Sequence, residues 1–483
     1  MMGTIASQSF KNMVSTYLGF LFGALNILFL YPFFLKDDYF GLIGYLLSTA
    51  NIMMPLLAFG VPNTFVKFYT SYKTDVEQRR FTTTMFFLPL FIILPVGLIG
   101  ILAYQQITDI LTSVNTITEP YVWTIFVVAA AMAYFEVFYA WSKIHMKTVY
   151  GNFLKEVFHR VAIMVLLLMV SFSWLTPDHF IYAVVGVYLI RSLLMMVSAF
   201  GIRKPVWEFK LPKNSSAVLK YSSLIIVAAS VAVILLDIDK FMLGQYIAIE
   251  NIAFYNVAVF ISMVIIVPGR AMHQITYPIT ASLMNKGDTK KLESLYKRSS
   301  LTLFVVSGLL FLLITMNINE LYRLLPEQYS EGIWVVLCIS LAKLTDNILG
   351  NNNSIIFNSD YYRVMLYFGV FLAVLTIILN MIFIPVWGIH GSAFATLLAF
   401  LIYNTIKISF VYKRFRIHPF SKGTVILGGI LILLSLVFYF WNFTFHPILN
   451  IALKSLLIGG GYVILIKVFN VSDDISRLLR KYL

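Results

Sequence analysis

Ile234-Leu235-Leu236-Asp237-Ile238-Asp239-Lys240-Phe241-Met242-Leu243-Gly244 places two acids and a lysine inside an apolar run, 221–243, long enough to span a bilayer. A charge at membrane depth costs about 2.5–3.5 kcal/mol on insertion scales. Charges this close together need partners or water, so the stretch reads as a helix lining a wet, charged cavity between two halves of a membrane protein. Helical angles split the cluster. Lys240 follows Asp237 at i+3, about 60° round the helix, so the two can pair. Asp239 lies about 200° from Asp237 and is expected to pack on a neighbouring helix or at the outer interface.

The rest of the chain fixes the class. Of its 483 residues, 60% are hydrophobic and 12% charged, against roughly half and a quarter in soluble domains. That excludes a soluble globular protein. A net charge of +14 would also suit a nucleic-acid binder. In a membrane chain it is instead the mark of Lys and Arg on cytoplasmic loops facing anionic lipid, and no nucleic-acid partner is expected. The single cysteine, Cys338, leaves no internal disulfide to form. The first apolar run, 13–35, is too long for a signal core and has no small-residue cleavage site after it.

Apolar segments of about 20 residues recur with short breaks. They are 10–35, 40–66, 81–104, 119–141, 156–175, 180–201, 221–243, 251–276, 299–316, 333–357, 361–386, 389–412, 424–441 and 447–469. The fold class is therefore an all-α polytopic membrane protein with about fourteen transmembrane helices, since an open sheet cannot live in lipid. Taking loops alternately, one side carries nearly all the loop Lys and Arg, and the other carries only Lys36 and Arg323. Both termini are thus expected to be cytoplasmic. The basic linker with Pro205 and Pro212 falls after the sixth segment and reads as a hinge. The expected organisation is an N-terminal six-helix bundle 1–201, a cytoplasmic linker 202–220 and a second six-helix bundle 221–422. Two additional transmembrane helices follow over 423–471, then an amphipathic cytoplasmic tail 472–483.

Several charges remain at membrane depth. Arg191, Lys343 and Asp346 sit nearest the middle of their spans; Arg160, Arg270 and Glu136 lie towards the cytoplasmic ends. Lys407, Lys454, Glu156 and Arg160 are near enough to an end to snorkel, whereas Arg191 and Lys343 are not. In the tenth segment Lys343, Asn347, Asn351, Ser354 and Asn358 follow helical spacing, with Asp346 beside Lys343. This stripe reads as a water-lined wall, with interhelical hydrogen bonding as its alternative. Gly19, Gly23 and Asn26 share a face suited to close helix packing. No HExxH, P-loop, GxSxG or Cys/His metal spacing occurs, so neither an enzyme nor a bound cofactor is expected. Transport would draw on an H⁺ or Na⁺ gradient or on the substrate's own.

Short motifs resemble those of the Wzx-type polysaccharide flippases of the MOP superfamily. They are Ser9-Phe10-Lys11-Asn12, Phe40-Gly41-Leu42, Leu57 to Asn63, Asp237 to Gly244, Ile252 to Asn256, Pro268 and Tyr277-Pro278, then the basic Lys286-Gly287-Asp288 loop. The resemblance implies two six-helix bundles plus two C-terminal helices in a bacterial inner membrane. It implies a flippase moving undecaprenyl-pyrophosphate-linked oligosaccharide units to the periplasmic leaflet, with membrane lipids, a polysaccharide polymerase and other assembly proteins as partners. A pyrophosphate calls for cations in a low-dielectric lumen. Arg191, Lys343, Arg270, Lys240 and Arg160 are the expected substrate contacts. Asp237, Asp346, Glu136 and Asp239 are the expected charge partners or ion-coupling groups, and Asn347, Asn351 and Ser354 the polar wall. A MATE-like multidrug exporter and a peptidoglycan lipid II flippase are the alternatives. A polymerase or ligase would need a larger periplasmic loop than this chain offers.

Overall fold

The computed structural model describes residues 2–441 and 443–472, with side chains at all of these except 2–7, 9 and 232. The predicted tail helix 472–483 thus lies outside the described residues beyond its first position. Every regular element among the described residues is helical. The chain forms two compact units, Met1–Asn256 and Val257–Leu483.

The first unit begins with α1 (Met2–Ala24), a π-helical turn Leu25–Leu30, and α2 (Tyr31–Phe34). Then come α3 (Asp37–Ala58), α4 (Val61–Phe68), α5 (Asp75–Leu102) and α6 (Tyr104–Thr112). After α7 (Val122–Ile144) and α8 (Val149–Phe153), a second π-helical turn, Leu154–Phe158, leads into α9 (His159–Ser171). The unit continues with α10 (Pro177–Ile202) and α11 (Ser215–Tyr246), and α12 (Glu250–Met263) runs across the division. Local chemistry sets the starts. The Thr74 and Thr176 side chains accept from the backbone N–H groups of Glu77 and His179, satisfying first-turn donors of α5 and α10. The core of the unit is an aromatic cluster in which Phe65, Phe81, Phe86, Phe138 and Trp141 are buried. On the face predicted for close packing, a Cβ at Gly19 would overlap the Glu156 carbonyl, and Asn26 Nδ2 donates to Arg160 O at 2.8 Å.

The linker does not divide the units. Arg203 Nη2 meets Asp75 Oδ1 at 3.0 Å, Lys213 Nζ meets Glu77 Oε1 at 3.2 Å, and Arg80 Nε meets Glu208 Oε1 at 3.6 Å. These pairs tie residues 203–213 to the start of α5. Beyond the linker, α11 packs on α3 through glycine. A Cβ at Gly244 would strike the Tyr45 ring, and one at Gly41 would overlap the Ile249 carbonyl. By contact, residues 221–256 group with the first unit, Met1–Asn256.

The second unit continues through α13 (Val267–Asn285), α14 (Thr289–Met316), α15 (Ile318–Tyr322), α16 (Ile333–Ile348) and α17 (Asn352–Phe357). It ends with α18 (Val364–Phe415), α19 (Lys422–Tyr439) and α20 (Pro447–Val468). Asp288 caps α14 and pairs with Lys291 at 2.9 Å, which holds its carboxyl below the usual range. Ser421 and Thr424 form a capping box on α19. Leu427, Leu431, Ile458 and Tyr462 fill the contact of α14, α19 and α20.

Among the described residues, ten helices are long and apolar enough to cross a membrane, or eleven if the two pieces of α11 bent by 56° count as one span. The predicted fourteen are not recovered by this count, and the causes are local. Segments 361–386 and 389–412 are two helices that meet at Gly388 (φ 56, ψ −130) and are counted together as α18, at a conformation that glycine tolerates. Segment 156–175 is cut by a π-helical turn, and segment 333–357 by the break between α16 and α17, so neither makes one long helix.

Candidate functional site

In the first unit the charges converge on Tyr188 of α10. Its ring lies within electrostatic reach of Arg191, Arg160, Asp237 and Lys240. Arg191, one turn along α10, is 8% exposed. Its guanidinium lies 4.5 Å from the Phe135 ring centroid and 4.7 Å from that of Tyr188, so two aromatic faces hold the plane by cation–π attraction. Its buried Nε has no hydrogen-bond partner. The carboxylates acting on it are Glu136 and Glu156, and both have cations of their own. Lys155 Nζ pairs with Glu136 Oε1 at 2.5 Å, and Arg160 Nη1 lies 3.4 Å from Glu156 Oε2. Arg191 is thus a buried cation with an unused donor.

Asp237 and Lys240 pair at 2.7 Å within α11, the geometry their spacing allows. Asp239 turns elsewhere and accepts from the Tyr255 hydroxyl of α12 at 2.7 Å. That contact is the packing on a neighbouring helix that its angle on α11 predicts.

In the second unit, Lys343 is 9% exposed and sits 4.4 Å from the Phe400 ring centroid. Asp346, one turn on, pairs with Lys407 at 3.6 Å. Lys407 lies 4.5 Å from the Tyr403 ring and is 1% exposed. It was expected to snorkel; its ammonium is instead held inside the helix pack by an acid and an aromatic face. Lys454 is 4% exposed within the helix pack, and Glu320 is the acid that acts on it. His273 of α13 lies within electrostatic reach of Asp346 and Lys407. Arg270, one turn before it, is exposed and stands apart from these pairs.

The stripe on α16 and α17 is a hydrogen-bonded seam in place of a water-lined wall. Asn347 Nδ2 donates to Ile265 O at 2.7 Å, and Asn351 Nδ2 to Thr280 Oγ1 at 2.9 Å. Ser299 Oγ donates to Asn351 Oδ1 at 3.1 Å. Ser354 is 3% exposed, and its carbonyl accepts from Asn358. Buried polar groups must be paired, and here neighbouring helices pair them.

Sequence reasoning missed Lys155 and Lys407 as members of these groups. Lys155 reads as a loop charge and Lys407 as a helix-end charge; for Lys155 the signal was an acid at membrane depth, Glu136, with no cation one turn away on its own helix. Among the described residues, no group of His, Cys, Asp and Glu has metal-site geometry.

No family model matches the chain. It is similar to an uncharacterised membrane protein of Methanocaldococcus jannaschii, 24% identical over 340 residues, covering 64% of each chain. It is also similar to the probable flippase AglR of Haloferax volcanii, 23% identical over 189 residues, covering 38% of this chain and 39% of that one. The chain spans less than two thirds of the length of either relative. Among solved structures it resembles the lipid II flippase MurJ in an inward closed conformation, with TM-score 0.73 at 14% identity over 96% of this chain and 98% of the other. It resembles an inward-facing MATE multidrug transporter of the MOP superfamily with TM-score 0.65 at 13% identity, over 82% and 94%. The chain shares the fold of these two solved structures, and its described helices include ten long and apolar enough to cross a membrane.

Proposed function

We propose that this protein is a flippase, not an enzyme, that moves undecaprenyl-pyrophosphate-linked oligosaccharide units across a bacterial cytoplasmic membrane. It works by alternating access, coupled to an H⁺ or Na⁺ gradient, with both termini cytoplasmic. The product feeds a polysaccharide polymerase and other assembly proteins that build surface polysaccharide such as O-antigen.

The observation that carries this reading is Arg191, a buried guanidinium clamped by two rings with Nε unpartnered. Such a group suits a pyrophosphate, which accepts a fork of charge-assisted hydrogen bonds. Lys240, Arg160 and Lys155 add positive charge around it. Lys343, Lys407 and Arg270 are the corresponding cations of the second unit. Asp237, Glu136 and Asp346 hold cations while no anion is bound and are the candidates for taking up the coupling ion. The fold likeness to a lipid II flippase favours a second reading, in which the cargo is a peptidoglycan precursor. A drug exporter of cationic compounds fits less well, because the buried charge here is in cationic excess.

The test is flipping of a fluorescent lipid-linked oligosaccharide in proteoliposomes. Arg191→Glu and Lys343→Glu are expected to abolish it while the protein inserts and elutes as a single species. Full activity of both variants would overturn the assigned site, and transport of lipid II alone would replace the cargo.

A further inference from the structure

Apart from the charged cluster, α5, α7 and α10 form the walls of an open groove of about 580 Å³ whose lining includes no charged side chain. Its walls include Phe86 and Phe87 on α5, Phe126 and Phe138 on α7, and Leu189 and Phe200 on α10. Leu189 and Leu193 are exposed, so the cavity meets whatever surrounds the helices, which for membrane spans is lipid. Its length is informative. At 1.5 Å per residue, Leu189 to Phe200 covers roughly 17 Å, close to half of a hydrocarbon core about 30 Å thick. The slot runs from the linker end of α10 to about its middle and is one leaflet deep.

The linker closes that end. Trp207 lines the cavity and packs on Phe86 and Phe87, with ring centroids at 5.8 and 5.4 Å. Phe209 packs on Phe87 at 5.4 Å from within a second cavity of about 370 Å³, which Thr83, Phe87 and Lys210 also line. Of the linker cations, Arg203 and Lys213 are committed to acids of α5. Lys204 and Lys210 are exposed and have no carboxylate partner among the described residues. An apolar slot of leaflet depth, closed by a linker segment that carries the exposed Lys204 and Lys210, suits a phospholipid with an anionic headgroup.

We infer that α5, α7, α10 and the linker form a binding site for an anionic phospholipid of the bilayer, its acyl chain in the apolar slot and its phosphate at Lys204 and Lys210. The site fixes the linker against the leaflet, and it stands whether or not the transported cargo is lipid-linked.

Brominated acyl chains quench tryptophan on contact, and Trp207 is the built-in reporter. The full chain is reconstituted in phosphatidylcholine vesicles carrying brominated phosphatidylglycerol or, separately, brominated phosphatidylcholine. The Trp207 signal is the difference from Trp207→Phe. Quenching by the anionic lipid should saturate at a lower mole fraction, by about fivefold for each lysine engaged. Lys204→Gln with Lys210→Gln should return it to the phosphatidylcholine curve, and Ala130→Phe, which fills the slot, should reduce quenching by both lipids. Identical curves for the two lipids would mean annular lipid only and would overturn the site. Displacement of the brominated lipid by a polyprenyl phosphate at far lower mole fraction would also overturn it and assign the slot to the cargo's own chain.

Discussion

Removing Asp346 should harm this protein more than removing the lysine it holds. Lys407 is 1% exposed whereas Asp346 retains 24% of its side-chain exposure, and the two meet at 3.6 Å. Asp346→Leu leaves a buried ammonium with no counter-charge, a change that costs about 3–5 kcal/mol when the pair is fully buried. With Asp346 partly exposed and the pair long, about 2–3 kcal/mol is expected. For a unit of this size, each kcal/mol moves the midpoint by about 2–4 °C, so Asp346→Leu should lower the melting temperature by roughly 4–12 °C. Lys407→Met leaves a carboxylate that solvent or Lys343 can serve, and should cost less. The double variant removes both charges and should recover most of the loss, because the penalty lies in the unpaired cation. Thermal unfolding in detergent reads all three. A double variant no more stable than Asp346→Leu, or an Asp346→Leu variant that melts with the wild type, would refute the account.

Gly41→Ala drives a methyl group into the Ile249 carbonyl, where the backbone must shift. A loss of about 1–3 kcal/mol is expected, read as a lower melting temperature with flipping reduced in proportion to folded protein. Asn351→Ala deprives Thr280 and Ser299 of partners in a fully buried seam. It should cost about 1–3 kcal/mol and leave the ionic-strength dependence of flipping unchanged, because Asn351 is a packing residue. His145 follows α7, with its ring 4.5 Å from Trp141 and its Nε2 unpartnered. Burial and then Arg203 depress its pKa, so the folded state resists a proton that the unfolded chain accepts. Its contribution is fully present above the ordinary histidine value of about 6.5 and is lost as pH falls from there through the depressed folded value. His145→Gln should flatten the pH dependence of the melting temperature in that window.

The legibility of the site follows the range of each interaction. Asp237 and Lys240 pair within one helix at i+3, so periodicity alone places them together. That Asp239 faces away follows from the same angles, but its partner Tyr255 belongs to the next helix. Glu136–Lys155 and Asp346–Lys407 join separate helices, and no spacing rule encodes them. The α16 stripe shows the limit most plainly. A run of Asn and Ser looks the same whether it faces water or a neighbouring helix, and only the positions of Ile265, Thr280 and Ser299 decide between them.

The sequence by itself determined the membrane class, the apolar segments, the lopsided distribution of basic loops and the internal pairing of Asp237 with Lys240. Transfer to lipid is nearly additive along the chain, and helical geometry fixes neighbours one turn apart. Only the tertiary structure decided which acid meets which cation across helices, that the asparagine stripe is a seam, and that the apolar stretch opened by 221–243 groups by contact with the first unit. Those outcomes rest on side chains brought to within a few ångströms by helix packing. Gly41 and Gly244 against α11's surroundings set that packing, and no local property of the chain records it.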